Sequence, residues 1–120
     1  EEIKKIILYS KKTDLETMVC AKDLKEAKKI DNLNPNYVAY EVPELIGTGK
    51  AISKYKAESL KKFVKLIKNI PICGAGISEP IDVKIARDLG TKGVLIASAF
   101  VKSENKLKFL KEIDKILWKF

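Results

Sequence analysis

The chain has 120 residues, 46% of them hydrophobic and 33% charged, with no histidine and a formal net charge of +8. That length and apolar fraction suit one globular domain able to bury a core. The missing imidazole excludes any catalytic triad, His-ligated zinc or haem-His site completed within these residues.

The elements follow from the pattern. Ile3, Ile6 and Ile7 form a helical stripe ending before Thr13-Asp14. Glu16 to Ala21 is a short apolar run that reads as a buried strand, and Asp23 caps a helix whose buried face is Leu24, Ala27 and Ile30. Asn32 to Asn36 is turn chemistry, Tyr37 to Glu41 a second strand, and Val42 to Lys56 a long loop punctuated by Pro and Gly. Ala57 to Asn69 is the clearest helix, with Leu60, Phe63, Val64 and Ile67 on one face. Ile70 to Gly74 is the third strand, followed by a helix over Glu79 to Leu89 with Pro80 in its first turn and Gly90 as its stop. Gly93 to Ala97 is the fourth strand. A final helix from about Glu104 carries Leu107, Leu110, Ile113 and Leu117 on one face.

The order is α, then β-α four times. Strand starts near Glu16, Tyr37, Ile70 and Gly93 lie 21, 33 and 23 residues apart, which fits strand-loop-helix-loop units. Short strands without polar alternation are what a parallel sheet requires. No linker or repeat divides residues 1–120, so they read as a single, incomplete domain. Two architectures fit: a small doubly wound sheet, or half of a (β/α)8 barrel, which in full needs about 250 residues. The chain opens on Glu1-Glu2 directly in helical pattern, which favours the half barrel and reads as a piece of something longer.

The basic excess does not read as a nucleic-acid footprint. Of 24 basic residues 23 are Lys, whereas base readout and phosphate forks favour the planar guanidinium, and only Arg87 supplies one. The lysines are spread along amphipathic segments and read as a solvated surface. No apolar stretch approaches the roughly 20 residues of a membrane span, and there is no signal-peptide core. Cys20 and Cys73, 53 residues apart and each in an apolar run, make neither a metal motif nor a disulfide framework. They read as buried, reduced thiols of a cytoplasmic protein.

Three loops follow three successive strands, at Ile46-Gly47-Thr48-Gly49, Gly74-Ala75-Gly76 and Ala97-Ser98. In a parallel sheet all three lie at the C-terminal edge, where sites are built. Glycine lets backbone N–H groups approach an oxyanion, so together the loops suit a phosphate, although each glycine alone is more often a plain turn. Glu41 ends an apolar strand just before Pro43. It suits a general base, although from position alone a salt-bridged or solvated strand-end acid is slightly favoured.

The run Tyr37-Val38-Ala39-Tyr40-Glu41-Val42-Pro43-Glu44-Leu45-Ile46-Gly47-Thr48-Gly49 closely resembles the catalytic strand and lid of the triosephosphate isomerase family in its archaeal form. The runs Cys73 to Ser78 and Gly93 to Ser98 resemble the next two strands of the same family, with Val19-Cys20 on the preceding one. The likeness extends over essentially all 120 residues and implies the C-terminal half of a (β/α)8 barrel. It further implies Glu41 as the base that moves a proton between adjacent carbons of a triose phosphate, and Val42 to Gly49 as a lid that excludes water. Ile46 and Gly47 in the lid, Gly76, and Ala97 with Ser98 would bind the phosphate. The family implies no cofactor or metal, an oligomeric full-length enzyme, and a place in glycolysis and gluconeogenesis.

Two positions depart from the pattern. Val42 stands where the archaeal hinge usually has Pro. Ala99, followed by the bulky Phe100, stands where Gly is usual, and Ala resists φ > 0. The family's electrophilic His and substrate-binding Lys belong to the first half of the barrel, so the 120 residues alone are expected to be inactive. A half barrel also leaves two sheet edges open, so alone it is expected to be marginal, dimeric or aggregation-prone. Three readings stand: a fragment of a working isomerase, a non-catalytic phosphate-binding half-barrel module, or a piece of another phosphate-binding barrel enzyme. The lid motif argues against the third.

Overall fold

The computed structural model describes residues 1–117. Helix α1 (Glu2–Lys12) leads into four strands, β1 (Met18–Ala21), β2 (Tyr37–Glu41), β3 (Ile70–Gly74) and β4 (Gly93–Leu95). Helix α2 (Leu24–Asp31) joins β1 to β2, α3 (Ile52–Tyr55) and α4 (Ala57–Leu66) join β2 to β3, and α5 (Pro80–Asp88) joins β3 to β4. The chain then runs through α6 (Ser98–Val101) and α7 (Lys106–Leu117). All strand pairs are parallel and neighbours follow chain order, β1-β2-β3-β4.

That order decides between the two architectures. A doubly wound sheet reverses its strand order at a switch point, and the sheet of the described residues has none. Crossovers of one hand, each to the next neighbour, carry the helices to a single side, as in a barrel. Side chains alternate accordingly. Val38 and Tyr40 face the helices, where the Tyr40 ring lies 5.2 Å from Phe63. They join Ala27, Ile30, Leu60, Cys73, Val83 and Ala86 in the main buried cluster. Cys20, Ala39, Glu41 and Ile72 lie on the alternate face, the inner surface of the curved sheet.

Local chemistry sets the boundaries and explains the differences from expectation. Asp23 caps α2, its carboxylate accepting the Glu26 N–H at 2.7 Å. Strand β1 begins at Met18, later than the apolar run, because the Thr17 N–H donates to Asn36 Oδ1 and the Glu16 carboxylate accepts the Tyr37 hydroxyl. Helix α4 stops at Leu66, short of Asn69, because the buried Asp31 carboxylate takes the N–H groups of Lys68 and Asn69 and the Asn69 amide. Strand β4 ends at Leu95, and Ile96 and Ala97 leave the ladder for the loop before α6. The long loop contains a 3₁₀ turn, Pro43–Leu45, as well as α3.

Two expectations are corrected. Helix α7 starts at Lys106, with Asn105 accepting the Lys108 N–H, and Leu107, Leu110 and Leu117 are exposed; Ile113 is buried, with Phe109 and Ile116 half-buried. Periodicity gave the stripe correctly, but packing against α5 uses an adjacent strip of it. Cys73 is buried as expected, but Cys20 is exposed. It sits on the inner face of β1, an edge strand of this sheet, whereas Ala39 and Ile72 on the same face of the two central strands are buried.

Candidate active site

The β2, β3 and β4 C-terminal ends open into one cleft of about 520 Å³. Every residue proposed from the sequence lines it: Glu41, Ile46, Gly47, Gly76, Ala97 and Ser98. They arrive from three different loops, which converge because parallel strands put all their C-terminal ends on one edge.

Glu41 is half-buried at the end of β2, with apolar Leu95 and Ile96 in the same cleft wall. Its neighbour across the ladder is Gly74, and Leu95 is next across. A Cβ at Gly74 would stand 2.9 Å from Glu41 Cγ and 3.0 Å from Oε2. Glycine on β3 therefore makes the room that the Glu41 side chain occupies. On the other side, the Cys20 thiol lies 3.7 Å from Glu41 Oε1. Partial burial and the Glu41 carboxylate beside it push the Cys20 thiol above its ordinary range.

The segment after Glu41 is built as a unit. Leu45 is buried and anchors its start, while Ile46 is 56% exposed. The Thr48 hydroxyl donates to Leu45 O at 2.7 Å and accepts the Lys50 N–H at 3.0 Å. Gly47 and Gly49 take φ of 73° and 71°, which L side chains resist. At its far end the segment docks on the β3 loop. Ile52 N–H donates to Ala75 O, Ser78 Oγ lies 3.4 Å from Gly49 O, and a Cβ at Gly76 would lie 2.0 Å from Lys50 O. Behind this contact Asp82 is buried, accepts the N–H groups of Ser78 and Glu79, and holds the Lys54 ammonium at 2.7 Å from Oδ1.

The two departures have structural answers. Ala99 lies inside the right-handed turn of α6 and needs no positive φ. Phe100 turns away from the cleft, with its ring 6.3 Å from that of Phe109. Val42 is buried, with extended φ of −82° and ψ of 112°. Sequence reasoning missed three contributors. Gly74 makes room for Glu41 and showed only as a loop glycine. Ser78, which lines the cleft and touches Gly49, could have been found from its place after the third strand. Lys102 also lines the cleft, and its signal is its position four residues after Ser98.

A parallel sheet wound in chain order, with its cleft at the C-terminal strand ends, defines an α/β protein of the barrel class. Among solved structures the chain is similar to a thiamine phosphate pyrophosphorylase from Pyrococcus furiosus, with a TM-score of 0.78 at 20% identity, covering 96% of this chain and 54% of that one. A tryptophan synthase alpha-subunit from the same organism gives 0.71 at 22% identity, covering 96% and 49%; at such identities these likenesses concern the fold. A family model described as triosephosphate isomerase matches residues 1–114, and the chain belongs to that family. The triosephosphate isomerase of Methanocaldococcus jannaschii is 41% identical, over 97% of this chain and 55% of the relative. That of Pyrobaculum islandicum is 43% identical, over 97% and 53%. The chain thus spans about half the length of the curated relatives it matches. No helix among the described residues is long and apolar enough to cross a membrane.

Proposed function

We propose that these residues are the base, lid and phosphate-binding half of a triosephosphate isomerase, which interconverts dihydroxyacetone phosphate and glyceraldehyde 3-phosphate in glycolysis and gluconeogenesis. The observation that carries the reading is the single cleft in which Glu41, the Ile46–Gly47 segment and the Ala97–Ser98 loop meet. Glu41 takes the proton from one carbon of the triose and returns it to the adjacent one. The lid folds over the cleft about Val42 and Lys50, excluding water while the charged intermediate exists. Backbone N–H groups of Gly47, Gly76, Ala97 and Ser98 face the phosphate.

Proton abstraction also needs the substrate carbonyl polarised. The 120 residues contain no histidine, so the electrophile and the remaining strands of the barrel come from outside them. The 120-residue chain by itself is inactive in this reading, and the assembled enzyme is a cytoplasmic oligomer. The non-catalytic module is the second reading; it would keep the phosphate cleft and lose any dependence on Glu41.

The test is isomerisation of glyceraldehyde 3-phosphate by the full-length protein containing these residues. Glu41→Gln should lower kcat by at least 10²- to 10⁴-fold, roughly the span of general-base contributions. Retained activity in that variant removes Glu41 as the base, and an inactive unmodified protein favours the binding module.

A further inference from the structure

Among the described residues lining the cleft, two carry charge, Glu41 and Lys102. Glu41 ends β2, and Lys102 follows α6 beyond β4, which is two steps from β2 in the sheet. A base at one side and a cation at the other match a small ligand with its reacting carbons at one end and an anion at the other.

The turn of α6 explains how Lys102 reaches the cleft. Ser98 and Lys102 are four residues apart and share a face of the turn, which the Lys102 N–H closes on Ser98 O at 2.9 Å. Helical side chains lean toward the N-terminus, so the lysine stem leans back toward Ser98 and the strand end. Phe100, two residues from each, faces the other way against Phe109 and fixes the rotation of the turn. No ion pair engages Lys102 among the described residues, whereas Lys54, Lys61 and Lys84 are each paired.

We infer that Lys102 is a phosphate-binding residue of this cleft, placed by the Ser98–Lys102 turn to meet the ligand's dianionic group. The assignment rests on the proposed isomerase reading for its substrate, but not for its ligand chemistry, which is a phosphate in either case. Among the described residues lining the cleft, Lys102 adds a positive point charge beside neutral backbone donors, so its contribution depends on ionic strength where theirs depends little on it.

The experiment compares unmodified full-length protein with Lys102→Gln and Lys102→Arg. Binding of inorganic phosphate is measured by calorimetry at low and high KCl, and KM and kcat are measured for glyceraldehyde 3-phosphate. Lys102→Gln should weaken phosphate binding and raise KM about tenfold at low salt while kcat changes less than threefold. Arginine should restore most of the loss, and the gap should narrow as KCl is raised. Phosphate binding by Lys102→Gln within twofold of the unmodified protein overturns the assignment. So does a gap that salt leaves unchanged or that arginine fails to close. If the unmodified protein binds phosphate without isomerising the triose, only the isomerase reading falls, and the Lys102 comparison is still read from calorimetry. An unmodified protein that binds no phosphate overturns both.

Discussion

The Cys20 thiol lies 3.7 Å from Glu41 Oε1, on adjacent parallel strands and on the same inner face of the sheet. Partial burial and then the carboxylate disfavour the thiolate, so Cys20 should alkylate slowly with iodoacetamide near pH 8 for an exposed cysteine. Glu41→Gln removes the neighbouring charge and should speed the reaction severalfold. Cys73, whose thiol burial pushes up to about 12, should react only after unfolding. Mass spectrometry of the labelled chain counts both. An equal rate for Cys20 in the two proteins would show that the carboxylate does not govern the thiol.

Gly74→Ala should strike the proposed base directly. The new methyl would lie 2.9 Å from Glu41 Cγ and 3.1 Å from Leu95 Cβ, so Glu41 must move. A displacement of about 1 Å in a reacting group can cost on the order of 10²-fold, while overpacking costs about 1–3 kcal/mol. Steady-state kinetics with a urea titration separate the two. The expected result is a fall in kcat far larger than the loss of stability explains.

Glycines 76 and 47 make a matched pair. Both take positive φ, 69° and 73°, but a Cβ at Gly76 meets Lys50 O at 2.0 Å while one at Gly47 meets nothing within 4 Å. Gly47→Ala should cost only the backbone term, about 1–2 kcal/mol. Gly76→Ala adds a clash with backbone that anchors the lid, so it should cost more and shift the urea midpoint further. Equal midpoints would mean that the Lys50 contact yields freely.

Asp82 couples lid anchoring to pH. Its burial alone would raise the carboxyl, but the Lys54 ammonium and the Ser78 and Glu79 N–H donors outweigh that and hold it below its ordinary value of 3.8. A group depressed in the folded state adds stability that is present above the unfolded value and is lost as pH falls through the folded one. Unfolding midpoints should therefore drop below about pH 4, and Asp82→Asn should flatten that part of the profile. The same variant should be less stable at pH 7 by about 1–3 kcal/mol, since a buried acceptor pair is weakened. An unchanged acid profile in Asp82→Asn would assign the acid sensitivity to other carboxylates.

Much of this architecture was legible in the residues, and the exceptions share a cause. Strands β2 and β3 match their apolar runs because turn residues bound each run on both sides. Glu16, Thr17, Lys68 and Asn69 were misplaced because their partners, Tyr37, Asn36 and Asp31, lie far away in sequence, and a distant side chain can claim a backbone group that local pattern assigns to a helix or strand. The stripe on α7 was visible, but which part of it meets α5 depends on the neighbour. Cys20 looked buried because an apolar run does not reveal that its strand lies at the sheet edge. The members of the candidate site could be named because a parallel sheet delivers its loops to one edge. Gly74 was legible only as a loop glycine because its contribution beside Glu41 is an absence of atoms next to a residue 33 positions earlier.

The pairing of Glu41 with Gly74, and of Gly74 with Leu95, makes the cleft intolerant of slippage. Sliding β2 by one residue against β3 would turn Glu41 toward the helices, and sliding it by two would set Ile72 where the base now has space. Residues can be inserted at the exposed part of the loops on the opposite edge, such as around Asn32 and Asn34, without touching this alignment. A single residue gained or lost within Tyr37–Glu41 or Ile70–Gly74 would destroy it. Length variation among relatives should therefore gather at that edge and in the helices, and be missing from these two strands.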